Sequence, residues 1–150
     1  MKRFESVDDI LEFAIRNEEE AYAFYLNLAN SMENRQMCLV FEEFARQEQS
    51  HKEKLIAVKE QKTLVPAQEH VTDLKLSDYL VEVEPEPGMD YPKALVLAMN
   101  REKKAFKLYM DLAEISPKPI KDLFLFLAQE EAKHKLRIEI EYDDHVVTDN

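Results

Sequence analysis

The chain has 150 residues, 45% of them hydrophobic, which suits one domain with a sizeable core. A formal net charge of −11 at pH 7 argues against nucleic acid or an anionic membrane as partner, though not against metal cations. One glycine leaves no glycine-rich phosphate loop, and one cysteine, Cys38, rules out an intramolecular disulfide, a four-cysteine metal centre and a thiol redox pair.

The N-terminal MKRFESVDDI lacks the apolar run of a signal peptide, and no stretch reaches membrane-spanning length, so the expectation is a cytoplasmic protein. Helix one is expected over residues 7–30, with Ser6 as cap and Asp9 answering three residues later. One face carries Leu11, Ala14, Ile15, Glu18, Ala21, Tyr22, Tyr25 and Leu28, an apolar stripe with a carboxylate, Glu18, in its centre.

A short polar connection leads into helix two, over residues 35–62; connections this short join antiparallel neighbours. Its stripe is Phe41, Phe44, Ala45, Glu48, His51 and Leu55, with Cys38 as a small apolar residue near the start. Residues 63–89 break the pattern. They hold Pro66, an apolar piece at 74–83 with a helical turn expected at 77–81, and Glu84-Pro85-Glu86-Pro87-Gly88. This segment reads as a crossover along the bundle, which sets helix three parallel to helix two.

Helix three, over 91–114, starts at Asp90 with Pro92 in its first turn and carries Leu95, Ala98, Met99, Glu102, Ala105, Phe106 and Tyr109 on one face. Ser116-Pro117-Lys118-Pro119 turns the chain into helix four, over 119–142, with the face Phe124, Leu127, Ala128, Glu131, His134 and Ile138. The tail from 143 onward is polar and expected to fray. His70 and His145 stand outside the pattern and are read as surface residues. The whole is an all-α four-helix bundle with a long crossover between helices two and three.

The chain is an internal duplication. Glu18 recurs as Glu102, 84 positions on, and Glu48 with His51 recurs as Glu131 with His134, 83 positions on. The flanking apolar positions recur in kind in both halves. Burying a carboxylate or an imidazole alone costs several kcal/mol, so six such residues on inward stripes need partners. Four clustered carboxylates without a cation would repel and protonate. Two divalent metals balance them, and a mixed nitrogen and oxygen donor set suits iron or manganese. One Glu from each of two helices with a Glu-x-x-His from the other two is the ferritin-like di-metal pattern.

Through ExxAxxFY at Glu18–Tyr25, ExxH at Glu48, ExxAxxLY at Glu102–Tyr109 and ExxH at Glu131, nearly the whole chain resembles the rubrerythrin branch of the ferritin-like superfamily, in its short forms without a rubredoxin domain. The resemblance implies two metal ions, iron before manganese or zinc. Glu48 and Glu131 would bridge them, Glu18 and Glu102 would be terminal, and His51 and His134 would each cap one metal. It implies further that Tyr25 and Tyr109 hydrogen-bond to ligands. Rubrerythrins tend to add a metal-facing Glu one turn from the terminal Glu of helix three; here those positions are Met99, Ala105 and Phe106. The implied activity is reduction of hydrogen peroxide or dioxygen, with electrons from an external donor such as a rubredoxin-like protein. Ferroxidase or iron-handling activity, and a metal-free interaction bundle, are the other readings. Apolar residues beyond the stripes (Phe13, Ala23, Phe24 and Leu26 in helix one, 124–127 in helix four) point to a homodimer.

Overall fold

The structure, a computed structural model, describes residues 4–61 and 85–147. They form α1 (Val7–Ser31), α2 (Arg35–Gln61), α3 (Tyr91–Glu114) and α4 (Ile120–Tyr142), followed by a π-helical turn at Asp143–Val147 where the sequence suggests a frayed tail. The crossover expected at 63–89 and its helical turn at 77–81 fall mainly on residues outside the described ones.

Local chemistry sets the helix ends. The Asp9 backbone N–H donates to Ser6 Oγ at 3.2 Å, and the Asp9 carboxylate accepts from the Glu5 N–H at 3.0 Å. Asn34 Oδ1 accepts from the N–H groups of Gln36 and Met37, satisfying donors that α2 leaves free. Asp90 does the same for Lys93 at 2.9 Å, ahead of Pro92 in the first turn of α3. The turn before α3 is made by Gly88, whose φ of 71° lies in the left-handed region and whose N–H donates to the Ser31 carbonyl at 3.0 Å.

The helices pack as two antiparallel hairpins, α1 with α2 and α3 with α4. Side-chain contacts give their relative direction. Tyr25 late in α1 stacks on Phe41 early in α2, which meets Tyr91 early in α3 edge-on, and Tyr91 donates to Glu141 late in α4 at 2.8 Å. Val7 and Leu11 early in α1, Leu55 late in α2, Leu112 late in α3 and Phe124 early in α4 cluster at the other end. Thus α2 and α3 both start at the same end and run parallel, as expected. The apolar core is two blocks, one at each end, and the inward carboxylates and imidazoles lie in the layer between them.

The residues that suggested a dimer divide. Phe13, Phe24 and Leu26 are partly buried against the chain's own core, whereas Leu125 and Phe126 remain 37% and 44% exposed. Cys38 is half-buried, with its thiol donating to Glu42. His145 is exposed, facing Glu141 at 3.4 Å and the Tyr91 ring.

A Cβ added at Gly88 meets no close contact, the nearest atom being Glu33 Oε1 at 3.8 Å, so the cost of an alanine there is conformational. Gly88→Ala is expected to lower stability by about 1 kcal/mol, read as a lower urea midpoint at unchanged slope.

Candidate metal centre

Each ligand-type side chain reaches the middle layer because its helix turns one apolar stripe inward. On α1 the buried positions Leu11, Ala14, Glu18, Ala21, Tyr25 and Leu28 follow the helical repeat, and Glu18 takes its place among them. The same register carries Glu102 on α3, Glu48 and His51 on α2, and Glu131 and His134 on α4. Glu18, Glu48, Glu102 and Glu131 are each 1% exposed, His51 3% and His134 6%, so solvent does not balance their charge.

The six converge. His51 Nδ1 lies 3.0 Å from Glu131, 3.5 Å from Glu48 and 3.7 Å from Glu18. His134 Nδ1 lies 3.3 Å from Glu48, 3.5 Å from Glu102 and 3.9 Å from Glu131. The two imidazole planes are stacked at 5.7 Å. Ligand-type atoms gather in two four-residue sets, each within 4.8 Å: Glu18, Glu48, His51 and Glu131 in one, Glu48, Glu102, Glu131 and His134 in the other; Glu48, His51 and His134 make a third, smaller set that joins them. Glu48 and Glu131 belong to both four-residue sets.

These groups fit a metal. Glu18 Oε2, Glu48 Oε1, Glu102 Oε2, both oxygens of Glu131 and the Nδ1 atoms of both histidines are buried without a hydrogen-bond partner. A bare cluster of that kind is costly, and a divalent cation with oxygen and nitrogen preference satisfies it.

Tyr25 and Tyr109 sit where the sequence places them, one heptad beyond Glu18 and Glu102, but they act across the bundle. Tyr25 Oη donates to Glu102 and Tyr109 Oη donates to Glu18, so each half of the duplication holds a carboxylate of the other. Burial, then the nearby carboxylates, push both phenols well above their ordinary value, which keeps them protonated donors.

Titration follows the same crowding. Burial, reinforced by Glu48, pushes the Glu18 carboxyl well above the carboxylate range; burial reinforced by Glu102 does so for Glu131. Glu48 is also pushed up by burial, but the His134 imidazole 3.3 Å away and the charges of both imidazoles outweigh it and leave it lowered. Burial lowers His51. Burial works against a charged His134 too, yet Glu102 and Glu48 prevail and raise it to about 9.

Sequence reasoning missed the outer brace behind His134. The Phe44 ring meets that imidazole edge-on at 5.0 Å, and the Arg137 guanidinium lies over Phe44 at 5.2 Å while bridging to Glu43 at 2.9 Å. The duplicate positions are Leu127, Lys54 and Phe126, with Lys54 5.8 Å from the Phe126 ring. It missed Arg101 as well, which reaches from α3 to the Asn17 carbonyl at 3.4 Å and lies over Phe24, tying α3 to α1 beside two ligand positions. A departure from the repeat was the available signal at both places.

The fold and site define a ferritin-like four-helix bundle able to hold metal in its interior. The rubrerythrin family profile matches residues 9–85 and 93–148, and the chain belongs to that family, as the ExxH and ExxAxx(F/L)Y motifs suggest. Three solved structures share the fold. One is described as a ferritin-like diiron-carboxylate protein of Thermotoga maritima (TM-score 0.68, 21% identity, covering 95% of this chain and 97% of that one). The others come from Magnetospirillum magnetotacticum (0.71, 24%, 92% and 94%) and Pyrococcus furiosus (0.64, 24%, 91% and 87%). No curated protein matches the sequence. Among the described residues no helix is long and apolar enough to cross a membrane.

Two outcomes follow for the centre. Because His134 is raised from 6.5 to about 9, its stabilising effect on metal-free protein is full below pH 6.5 and lost as pH rises through 9. Glu18 and Glu131, also raised, act in the same direction from lower pH. The thermal midpoint of chelator-treated protein should therefore fall across that window, while metal-bound protein, whose cations replace the protons, should not follow it. Tyr109→Phe removes a donor from Glu18 and should weaken metal affinity about 10-fold, measured by equilibrium dialysis against manganese.

Proposed function

We propose that this chain is a cytoplasmic di-iron carboxylate redox protein that reduces hydrogen peroxide or dioxygen with electrons from a separate donor, working as a homodimer. The observation that carries the reading is the pair of four-residue ligand sets sharing Glu48 and Glu131, each closed by one imidazole, in a layer sealed by apolar blocks.

In this reading Glu48 and Glu131 span two metal positions. Glu18 and His51 complete one, and Glu102 and His134 complete the other. Iron held there would supply reversible one-electron chemistry at each position; peroxide reduction consumes two electrons and two protons and releases two waters. Tyr25 and Tyr109 hold the terminal carboxylates in place through their hydroxyls. Phe41, Phe44, Leu95 and Tyr91 close one end of the layer, and Leu11, Leu55, Leu108 and Phe124 close the other, which restricts water. Ala105, one turn after Glu102, leaves that side of the layer without a further carboxylate, so the two halves of the ligand set match. A matched set also suits iron handling, the second reading.

The test is metal content and absorption of protein purified under iron-replete conditions, then reduced and exposed to peroxide. Two irons per chain, with an absorption band that bleaches on reduction and returns stoichiometrically with peroxide, are expected. Iron that binds without this cycling favours ferroxidase or storage activity instead. Glu48→Gln with Glu131→Gln should retain the fold and lose both irons; full iron loading in that double variant would overturn the ligand assignment.

A further inference from the structure

The duplication has diverged most sharply in the outer grooves of its two hairpins. Across α1 and α2 the groove is closed by two ion pairs, Glu12–Lys59 at 3.0 Å and Glu19–Lys52 at 3.2 Å. Across α3 and α4 the duplicate positions are Val96 with Tyr142 and Lys103 with Lys135. Where α1 and α2 carry an ion pair, α3 and α4 carry an apolar residue and a tyrosine, and where they carry the other, two lysines stand. Hollows lie at both places. Val96 and Tyr142 line one of about 340 Å³, and Lys103 and Lys135 line another of about 280 Å³ together with Phe106 and Leu136.

The charge on this face runs against that of the chain. Between Tyr91 and Met110 the one carboxylate is Glu102, which faces the interior, whereas Lys93, Lys103, Lys104 and Lys107 lie on the same helix, and Glu139 of α4 is the one carboxylate that lines these hollows. Lys103, Lys104 and Lys107 gather around a further hollow of about 370 Å³. Among the described residues Lys103 and Lys104 have no ion-pair partner, while Lys135 is paired with Glu139 and Lys107 with Asp111. Leu136 and Ile140 are 58% and 52% exposed beside them. A basic rim around apolar side chains on a protein of net charge −11 is a surface for an acidic partner. A two-fold contact of the groove with itself would set one basic rim against another, so a second copy is the poorer occupant.

The groove also backs onto the centre. Lys103, Ala132 and Lys135 line it, and each is the chain neighbour of a ligand-type residue: Glu102, Glu131 and His134. We propose that the α3–α4 groove is the docking surface for a small acidic redox protein that delivers electrons to the centre. This rests on the redox reading above. The carboxylates of the partner meet Lys103, Lys104 and Lys135, and its apolar contacts cover Val96, Leu136 and Ile140.

The experiment is calorimetric titration of the metal-loaded protein with a recombinant rubredoxin, used as a small acidic one-electron carrier, at low and high salt. Stopped-flow oxidation of the reduced carrier is followed in parallel. Wild type should bind in a salt-dependent manner. Lys103→Glu with Lys135→Glu should lose about 10-fold or more in affinity and in electron-transfer rate, while dithionite-reduced variant is reoxidised by peroxide as fast as wild type. Arg16→Glu, an exposed change on the α1 face, should leave binding unaltered. Absence of binding at low salt, or an equal loss in the Arg16 variant, would overturn the proposal. So would self-association that the lysine variant abolishes, which would assign the groove to a second copy. Groove binding without electron transfer would sink the redox reading and leave the docking surface standing; full-rate transfer in the lysine variant would do the reverse.

Discussion

Four carboxylates and two imidazoles share a layer that solvent barely reaches, and the rest of the architecture answers to that crowding. Apolar blocks at either end exclude the water that would otherwise screen the charges. The electrostatic response is uneven. Glu18 and Glu131 are driven toward protonation, Glu48 is pushed down by the imidazoles, and His134 is pushed up while burial pushes His51 down. Without metal, protons carry the compensating charge; bound cations would take their place. The layer is therefore a weak point of the empty fold and the reason for its geometry, a trade between stability and function of the kind found at buried ionic sites.

The helices themselves rest on more ordinary forces. Their caps come from Ser6, Asn34 and Asp90, and their inward faces from leucine, alanine and aromatic side chains at helical spacing. The single glycine of the chain is placed at the turn into α3, where a positive φ is required. The antiparallel hairpins bring α2 and α3 into parallel, so the ExxH helices α2 and α4 run antiparallel and meet in the same layer, His51 lying 3.0 Å from Glu131 and His134 3.3 Å from Glu48.

Much of this is legible in the residues. An apolar stripe interrupted by one carboxylate is conspicuous because periodicity dictates which side chains turn inward, and Glu18 and Glu102 betray themselves in that way. The matching of Glu48–His51 with Glu131–His134 adds the second half of the site. Periodicity reports direction within one helix, however, and not which side chain meets which across the bundle. Tyr25 and Tyr109 were therefore visible as candidates, but their exchange of partners was not. The brace of Phe44, Arg137 and Glu43 behind His134 was hidden for a similar reason, since it joins residues of α2 and α4 whose only signal is a mismatch between the repeats. The polar end of the chain, judged from composition, gave no hint of the π-helical turn at Asp143–Val147.

The exchange of tyrosines carries a consequence for how such a chain can change. Each hairpin holds in place a carboxylate that belongs to its twin, so neither hairpin has a finished interior of its own. The molecule behaves as two subunits fused into one, with the joining segment keeping the second always within reach of the first. An alteration at either tyrosine is therefore felt at a buried carboxylate of the other repeat. The outer surfaces carry no such obligation, and there the repeats have parted: one hairpin seals its groove with charge pairs and the other leaves it open. Fusion thus lets an inwardly symmetric protein acquire a front and a back.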